Sequence, residues 1–309
     1  QKGRYDIVVL TVLASPTALL AVHTLRRRKI PYYYEGDGGF AGEASGIKAA
    51  LKRYLISTAG KCFSSSNEFD RYCITYGAKP ENLIRYPFTS VKKADCLTER
   101  LPDAEKQRRK QEFGITESCA VISVGQFIPR KGMDLLLECC KDLPEHVGVY
   151  IVGGTPPAEY LEICEKYRLQ KVHFLDFMPK DRLMRLMTAM DLFALFTRED
   201  IWGLVINEAM AAGLPVISTD RCIAALELIP GRGTCENGKE DADAGMIVEN
   251  ENLGQMKEAL LTLIQSPELR EKLSENAIHR IQSYTIETMA AEHDRIFQKL
   301  SAERRELRN

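Results

Sequence analysis

Residues 196–219 read FTREDIWGLVINEAMAAGLPVIST, and this stretch decides the fold. Before it, 191–195 (DLFAL) is an apolar run of strand length; 197–203 is polar and ends on a glycine; 204–212 is helix-like; 214–218 is apolar and β-branched again. Strand, loop, helix and strand in that order make a parallel crossover unit, whose helix start offers unpaired N–H groups and a positive dipole end to an anion. The loop carries adjacent carboxylates, Glu199 and Asp200, then Trp202 and Gly203, and the helix carries Glu208. Gly203 lets a ligand come close to the backbone. Two acids eight residues apart, one in the loop and one a turn into the helix, suit hydroxyls on two different sugars better than a metal. Trp202 is either core or a wall of that sugar pocket.

The same rhythm extends outward. Strand-like runs at 120–124, 147–152, 172–175 and 245–248 alternate with helical patterns on either side of the quoted unit, which predicts a doubly wound parallel sheet. The first half alternates too: strands at 5–13, 30–35, 61–65 and 83–86, helices at 16–29, 48–59 and 68–76. The first helix ends in Arg26, Arg27, Arg28 and Lys29, which suits the helix dipole or an anionic membrane surface. Glu35 runs into Gly36, Asp37, Gly38 and Gly39 at a strand's carboxyl end, where open parallel sheets place ligands. Residues 85–111 hold eight basic and four acidic side chains with Pro87 and Pro102, and read as a linker. From 253 onward the chain is helical, and 304–308 is expected to fray.

Composition narrows the function classes. A chain of 309 residues with 45% hydrophobic content has room for two domains, and a net charge of −1 argues against nucleic acid as the main partner. Nine cysteines without a C-x-x-C pair read as reduced packing residues of a cytoplasmic protein. No apolar run reaches the length of a membrane span, and no signal peptide opens the sequence. His23, His146, His279 and His293 read as surface groups, His173 as a packing residue of a buried strand. Asp241 and Asp243 spell D-x-D, but before a strand and not after one, so a metal role is not assigned.

A second constellation, 121–138 (VISVGQFIPRKGMDLLLE), supplies cations. Gly125 ends a strand, and Arg130 and Lys131 stand just before a helix led by Gly132, on the edge that also carries Asp200. When a glycosidic bond to phosphate breaks, charge builds on the phosphate oxygens, and preorganised cations with helix N–H groups stabilise it without a metal. The turn Gly153, Gly154, Thr155 repeats the arrangement more weakly.

On these residues the chain resembles retaining glycosyltransferases of the GT-B type, in the glycosyltransferase family 4 (group 1) set that builds bacterial capsules and other cell-surface glycans. The resemblance is specific over 119–219 and looser elsewhere. It implies two Rossmann-like α/β domains, here 1–103 with the linker and 104–284, with a C-terminal helix, 285–309, returning to the first. In the family motif E-x7-E the first acid meets the donor sugar and the second the nucleotide ribose; Asp200 and Glu208 stand there, with Glu199 as a substitute for the shorter first acid. The arginine and lysine that hold the diphosphate correspond to Gln126 and Lys131, Arg130 replacing the missing guanidinium. Phe177 and Met178, within 176–179, match the loop whose backbone reads the base, with Gly125 and Gly153 beside it. Ile201, Trp202, Gly203 and Leu204 match the N–H groups facing phosphate and sugar.

The first domain departs from the pattern. The family's acceptor-side half is longer, with a glycine loop and a histidine near the scissile bond; here that domain looks incomplete, and Glu35 to Asp37 occupy the histidine's place. Glu35 or Asp37 contacts donor or acceptor, or is a turn residue. The resemblance implies transfer of a sugar from a UDP- or GDP-sugar to a saccharide or lipid-linked acceptor, with no metal and no resident cofactor, in the cytoplasm or on the inner face of the plasma membrane. A nucleotide-sugar epimerase and a non-catalytic nucleotide-sugar-binding module are the alternatives; the first needs acid and base groups flanking a sugar carbon, which the sequence does not display.

Overall fold

The structure, a computed structural model, describes residues 5, 7–11, 15–42, 45–231, 233–234, 240–241 and 243–306, without the side chains of 233, 234, 240 and 241. Its contacts divide the chain into two units, Gln1–Thr89 with Ile286–Asn309, and Ser90–Thr285.

The first unit alternates β1 (Val9–Leu10), α1 (Pro16–Arg27), β2 (Tyr33–Glu35), α2 (Gly46–Ile56), β3 (Cys62–Ser64), α3 (Asn67–Thr75) and β4 (Leu83–Arg85). The four strands pair in parallel in sequence order. Residues 6, 12 and 13 of the first predicted strand lie outside the described residues. Successive side chains of a strand face opposite ways. Tyr34 and Cys62 therefore join Val22, Leu55, Ile56 and Phe69 on one face, while Tyr33 and Phe63 point to the other.

The second unit continues with α4 (Asp103–Glu112), β5 (Cys119–Val124), α5 (Met133–Cys140), β6 (Val147–Val152), α6 (Ala158–Tyr167), β7 (Val172–Leu175), α7 (Lys180–Met187), β8 (Leu192–Leu195), α8 (Leu204–Ala211), β9 (Val216–Thr219) and α9 (Ile223–Leu228). After the short antiparallel pair β10 (Gly233–Thr234) and β11 (Glu240–Asp241) come β12 (Gly245–Val248), α10 (Leu253–Gln265) and α11 (Pro267–Ile281). Six parallel strands lie in the order β12-β9-β8-β5-β6-β7. Val121, Ile151, Leu192 and Ala194 pack with α5 and α10 on one face. Their neighbours Ala120, Ile122, Phe193 and Leu195 are fully buried as well. Burial on both faces is what makes these strands unbroken apolar runs in the sequence. The last helix, α12 (Ile286–Glu306), places Ile296 and Leu300 against Tyr33 and Phe63, in the first unit. Leu307 and Arg308 lie outside the described residues.

Three expectations need correction. The polar stretch read as linker contains α4, whose inner lysines are paired: Lys110 and Lys106 each lie 2.6 Å from the Asp191 carboxylate. Burial alone would raise that carboxyl; the two ammonium groups overcome it and hold it below its ordinary range. His173 is not in a fully buried strand, since β7 is an edge strand, half-buried throughout. It stacks on Tyr150 at 4.6 Å and lies 3.4 Å from Glu117. His293 is not a surface group: its Nε2 lies 2.9 Å from Glu35 Oε1, and its ring packs edge-on to Tyr86. His23, His146 and His279 are exposed.

Glu117, buried before β5, yields a pH prediction. Burial would raise its carboxyl, but the Tyr150 hydroxyl (2.7 Å), a backbone N–H and Lys171 (3.4 Å) outweigh that and bring it from 4.5 down to about 2. A depressed folded value stabilises the fold above the unfolded value and is lost as pH falls through the folded one. Melting temperatures between pH 4.5 and 2 should therefore fall less steeply in Glu117→Gln than in wild type, from a lower starting point. Parallel curves would contradict this.

Candidate functional site

In the six-stranded sheet the chain runs from β5 outward to β6 and β7, then returns to the other side of β5 as β8. The reversal makes a crevice at the carboxyl edge between β5 and β8, the place where doubly wound sheets receive ligands. The loop after β5 carries Arg130 and Lys131; the loop after β8 carries Glu199 and Asp200.

Both loops are fixed by the backbone. Thr197 Oγ1 and Arg198 N–H each donate to Arg130 O at 2.8 Å. Asp200 N–H donates to Arg221 O at 2.8 Å, and Ala224 N–H to Trp202 O at 2.8 Å, so the segment after β9 holds the loop from its far side. Arg198 braces the turn beneath the cations, with two bonds to Asp134 (2.9 and 2.6 Å), one to Glu251 (2.6 Å) and one to Pro129 O (2.6 Å). Gly132, at φ +64°, lies so close to Phe196 that an added Cβ would sit 1.9 Å from its carbonyl oxygen.

Held this way, Lys131 Nζ donates to Asp200 Oδ2, while Arg130 Nη1 donates to Glu199 O at 2.8 Å and lies 3.7 Å from Asp200 Oδ1. Asp200 is 8% exposed. Two cations around one buried carboxylate leave an excess positive charge beside the amino end of α8, an arrangement that attracts an anion. Glu199 turns its carboxylate to Arg221, at 3.7 Å, half exposed. Of the two adjacent acids, only Asp200 meets the lysine.

Glu208, on the first turns of α8, forms a second group. Ser90 Oγ donates to its Oε1 at 3.2 Å, and Lys180 Nζ lies 3.9 Å away while donating to Ser90 O. Burial pushes the Glu208 carboxyl up, against the pull of Lys180 and Ser90. Lys180 opens α7 directly after 176–179, where Phe177 is 87% exposed and Met178 half-buried. Gly125 and Gly153 abut, with an added Cβ on Gly153 2.2 Å from Gly125 O, and Gln126 is exposed beside them. Ile201 and Leu204 are exposed and flank Gly203.

Of the two readings of Trp202, the core one holds: its ring is buried, and Nε1 donates to Asn207 Oδ1 at 2.8 Å, so it is a strut of the loop and not a pocket wall. Gly203, at φ +92°, packs on Cys222, whose thiol donates to Trp202 O at 3.2 Å and is pushed up by burial to about 12. Glu35 and Asp37 belong to the first unit, where Glu35 is engaged by His293 and the Asp37 carbonyl accepts from Ser65 Oγ at 3.0 Å. In the D-x-D sequence Ala242 and the Asp241 side chain lie outside the description, and Asp243 Oδ1 accepts from Gly231 N–H at 2.7 Å. Among the described residues no group of three or more His, Cys, Asp or Glu could hold a metal ion. Sequence reasoning missed Ser90, Lys180, Arg198, Arg221 and Cys222. Only two had a signal: Arg198 lies inside the quoted stretch 196–219, and Lys180 directly follows 176–179.

Known proteins resemble the chain in sequence and in fold. The family model described as Glycosyl transferases group 1 matches residues 104–280. The chain is 30% identical over 189 residues to the lipopolysaccharide glucosyltransferase WaaG of Escherichia coli (strain K12), covering 59% of this chain and 47% of that one. It is 26% identical over 202 residues to the D-inositol 3-phosphate glycosyltransferase of Corynebacterium glutamicum (strain R), covering 62% and 46%. It thus spans about half the length of the curated relatives it matches. Among solved structures, HepE of Anabaena, in complex with UDP and glucose, is similar with a TM-score of 0.73 at 18% identity, over 96% of this chain and 78% of that one. The sucrose-phosphate synthase of Thermosynechococcus elongatus is similar with a TM-score of 0.76 at 18% identity, over 97% and 74%. Those two likenesses concern the fold, which is the GT-B arrangement of two parallel-sheet α/β units. With more than half of its residues matched by the family model, the chain belongs to the group 1 glycosyl transferases.

Proposed function

We propose that this chain transfers a sugar from a nucleoside diphosphate sugar to a saccharide or lipid-linked acceptor with retention of configuration, in cell-surface polysaccharide synthesis. The observation that carries the reading is the meeting of Arg130 and Lys131 with Asp200 at the switch point of the parallel sheet, next to the amino end of α8. Arg130, Lys131 and the N–H groups at 201–204 hold the diphosphate. Asp200, in preference to Glu199, accepts hydroxyls of the sugar; Glu208 accepts those of the ribose; the loop bearing Phe177 and Met178 borders the base. Gly125, Gln126 and Gly153 line the approach to the phosphates. The anomeric carbon parts from the phosphate oxygen, the acceptor oxygen bonds on the same face, and the acceptor's proton leaves on the released phosphate.

In this scheme fixed cations take the role that a metal plays elsewhere, so transfer proceeds without a metal or a resident cofactor. UDP is the first donor nucleotide to try and GDP the second, given the UDP complex of the structurally similar HepE. The lipopolysaccharide role named for WaaG supports a cell-surface product. No described helix is long and apolar enough to cross a membrane. A cytoplasmic place at the inner membrane face is proposed through the exposed Arg27, Arg28 and Lys29 at the end of α1.

A thermal-shift screen of UDP- and GDP-sugars tests the donor site. At a ligand concentration about 100 times Kd, binding adds ~2.7 kcal/mol, or roughly 5–10 °C for a unit of this size. The expected result is such a rise with at least one donor, accompanied by slow release of nucleotide. No rise with any of them would overturn the reading; a rise without release or transfer would point instead to a non-catalytic binding module.

A further inference from the structure

The group formed by Ser90, Lys180 and Glu208 asks for an account that the donor-site reading does not by itself provide. A carboxylate that accepts two neighbouring ribose hydroxyls must be ionised, because a protonated carboxyl gives up one acceptor position to its own O–H. Burial works against this at Glu208, whose side chain is only 16% exposed. Asp95 adds repulsion in the same direction. The two opposing groups are Ser90 Oγ, donating at 3.2 Å, and the Lys180 ammonium at 3.9 Å, and both meet Oε1. They hold the carboxylate by one oxygen and aim the other. Lys180 is itself held, since Nζ also donates to Ser90 O and its backbone opens α7 directly after the Phe177 loop.

We propose that Lys180, seconded by Ser90, is a specificity-determining residue for the nucleotide, which keeps Glu208 charged and oriented so that the site takes ribonucleoside diphosphates and rejects their deoxy forms. The inference rests on the reading of Glu208 as the ribose acceptor. Lys180 acts through Glu208 and is therefore a positioning residue.

The test measures calorimetric affinities of the full chain for UDP, 2′-deoxy-UDP, GDP and 2′-deoxy-GDP at pH 6, 7 and 8. A hydrogen bond to a charged acceptor is worth a factor of about 10 to 100. Wild type should prefer the ribo form by at least about tenfold on that basis. In Lys180→Met the preference should shrink to about twofold, and most at the acid end of this range, because without the ammonium burial pushes the Glu208 carboxyl further up; loss of a merely structural residue would weaken ribo and deoxy forms alike at every pH. Lys180→Arg should restore the preference, and Ser90→Ala should lower it in a chain whose charges are intact. Lys180 is about one-third exposed, and the melting curve of each variant reports its folding. If wild type binds neither nucleotide, the donor-site reading fails and this inference with it. If wild type binds them without a ribo preference, or the preference survives unchanged in Lys180→Met, the inference alone is overturned.

Discussion

Lys131→Ala is expected to lower turnover of the donor, measured as nucleotide release, by a factor of about 100 to 1,000, the usual loss when one preorganised donor to a developing oxyanion is removed. Two losses combine. The ammonium is missing where phosphate charge grows, and Asp200, 8% exposed, keeps, among the described residues, Arg130 at 3.7 Å as its counter-charge. Without the Lys131 bond that carboxylate also loses the contact that orients it towards the sugar hydroxyls. Lys131→Arg keeps the charge and should recover part of the rate. The comparison is valid if the melting curves match; turnover of Lys131→Ala within about threefold of wild type would remove Lys131 from the transition state.

Gly132→Ala should have the largest effect on stability. At φ +64° any other residue adopts a left-handed backbone, costing ~1–2 kcal/mol, and here the new Cβ would also lie 1.9 Å from the Phe196 carbonyl oxygen, a backbone atom that cannot swing aside. A loss of at least ~3 kcal/mol is expected, or roughly 6–12 °C in melting temperature. Gly114 isolates the backbone cost: it has φ +68° and nothing within 4 Å of an added Cβ, so Gly114→Ala should lose only ~1–2 kcal/mol. Equal melting temperatures for the two variants would show that the close approach to Phe196 is not a constraint. Because Gly132 follows the two cations, the displaced backbone should also weaken nucleotide binding.

These two residues lie where the sequence was most readable. The strand buried on both faces, 147–152, is an unbroken apolar run and was placed without error; the edge strands 172–175 and 245–248 are only partly buried but were placed as well, from their largely apolar composition, and each loop at the carboxyl edge followed from its strand. The cations and acids were legible because their spacing around Gly125 and Gly203 is local. What local pattern cannot carry is a partner far along the chain. Ser90 meets Glu208 across 118 residues, and Glu35 meets His293 across 258. Trp202 next to a glycine suggested a ligand wall, yet the ring turned inward to Asn207, five residues on, a choice made by packing and not by spacing. The charged stretch containing α4 was misread for the same reason: Asp191, which pairs with Lys110, lies 81 residues away.

The placement of α12 has a consequence for biosynthesis. Tyr33 and Phe63 emerge from the ribosome long before the helix that packs on them through Ile296 and Leu300. At 5–20 residues per second, the delay is on the order of 10–50 s. Throughout that interval an aromatic sheet face stands open to whatever apolar surface is nearby, and a chain ending before Ile286 would never close it.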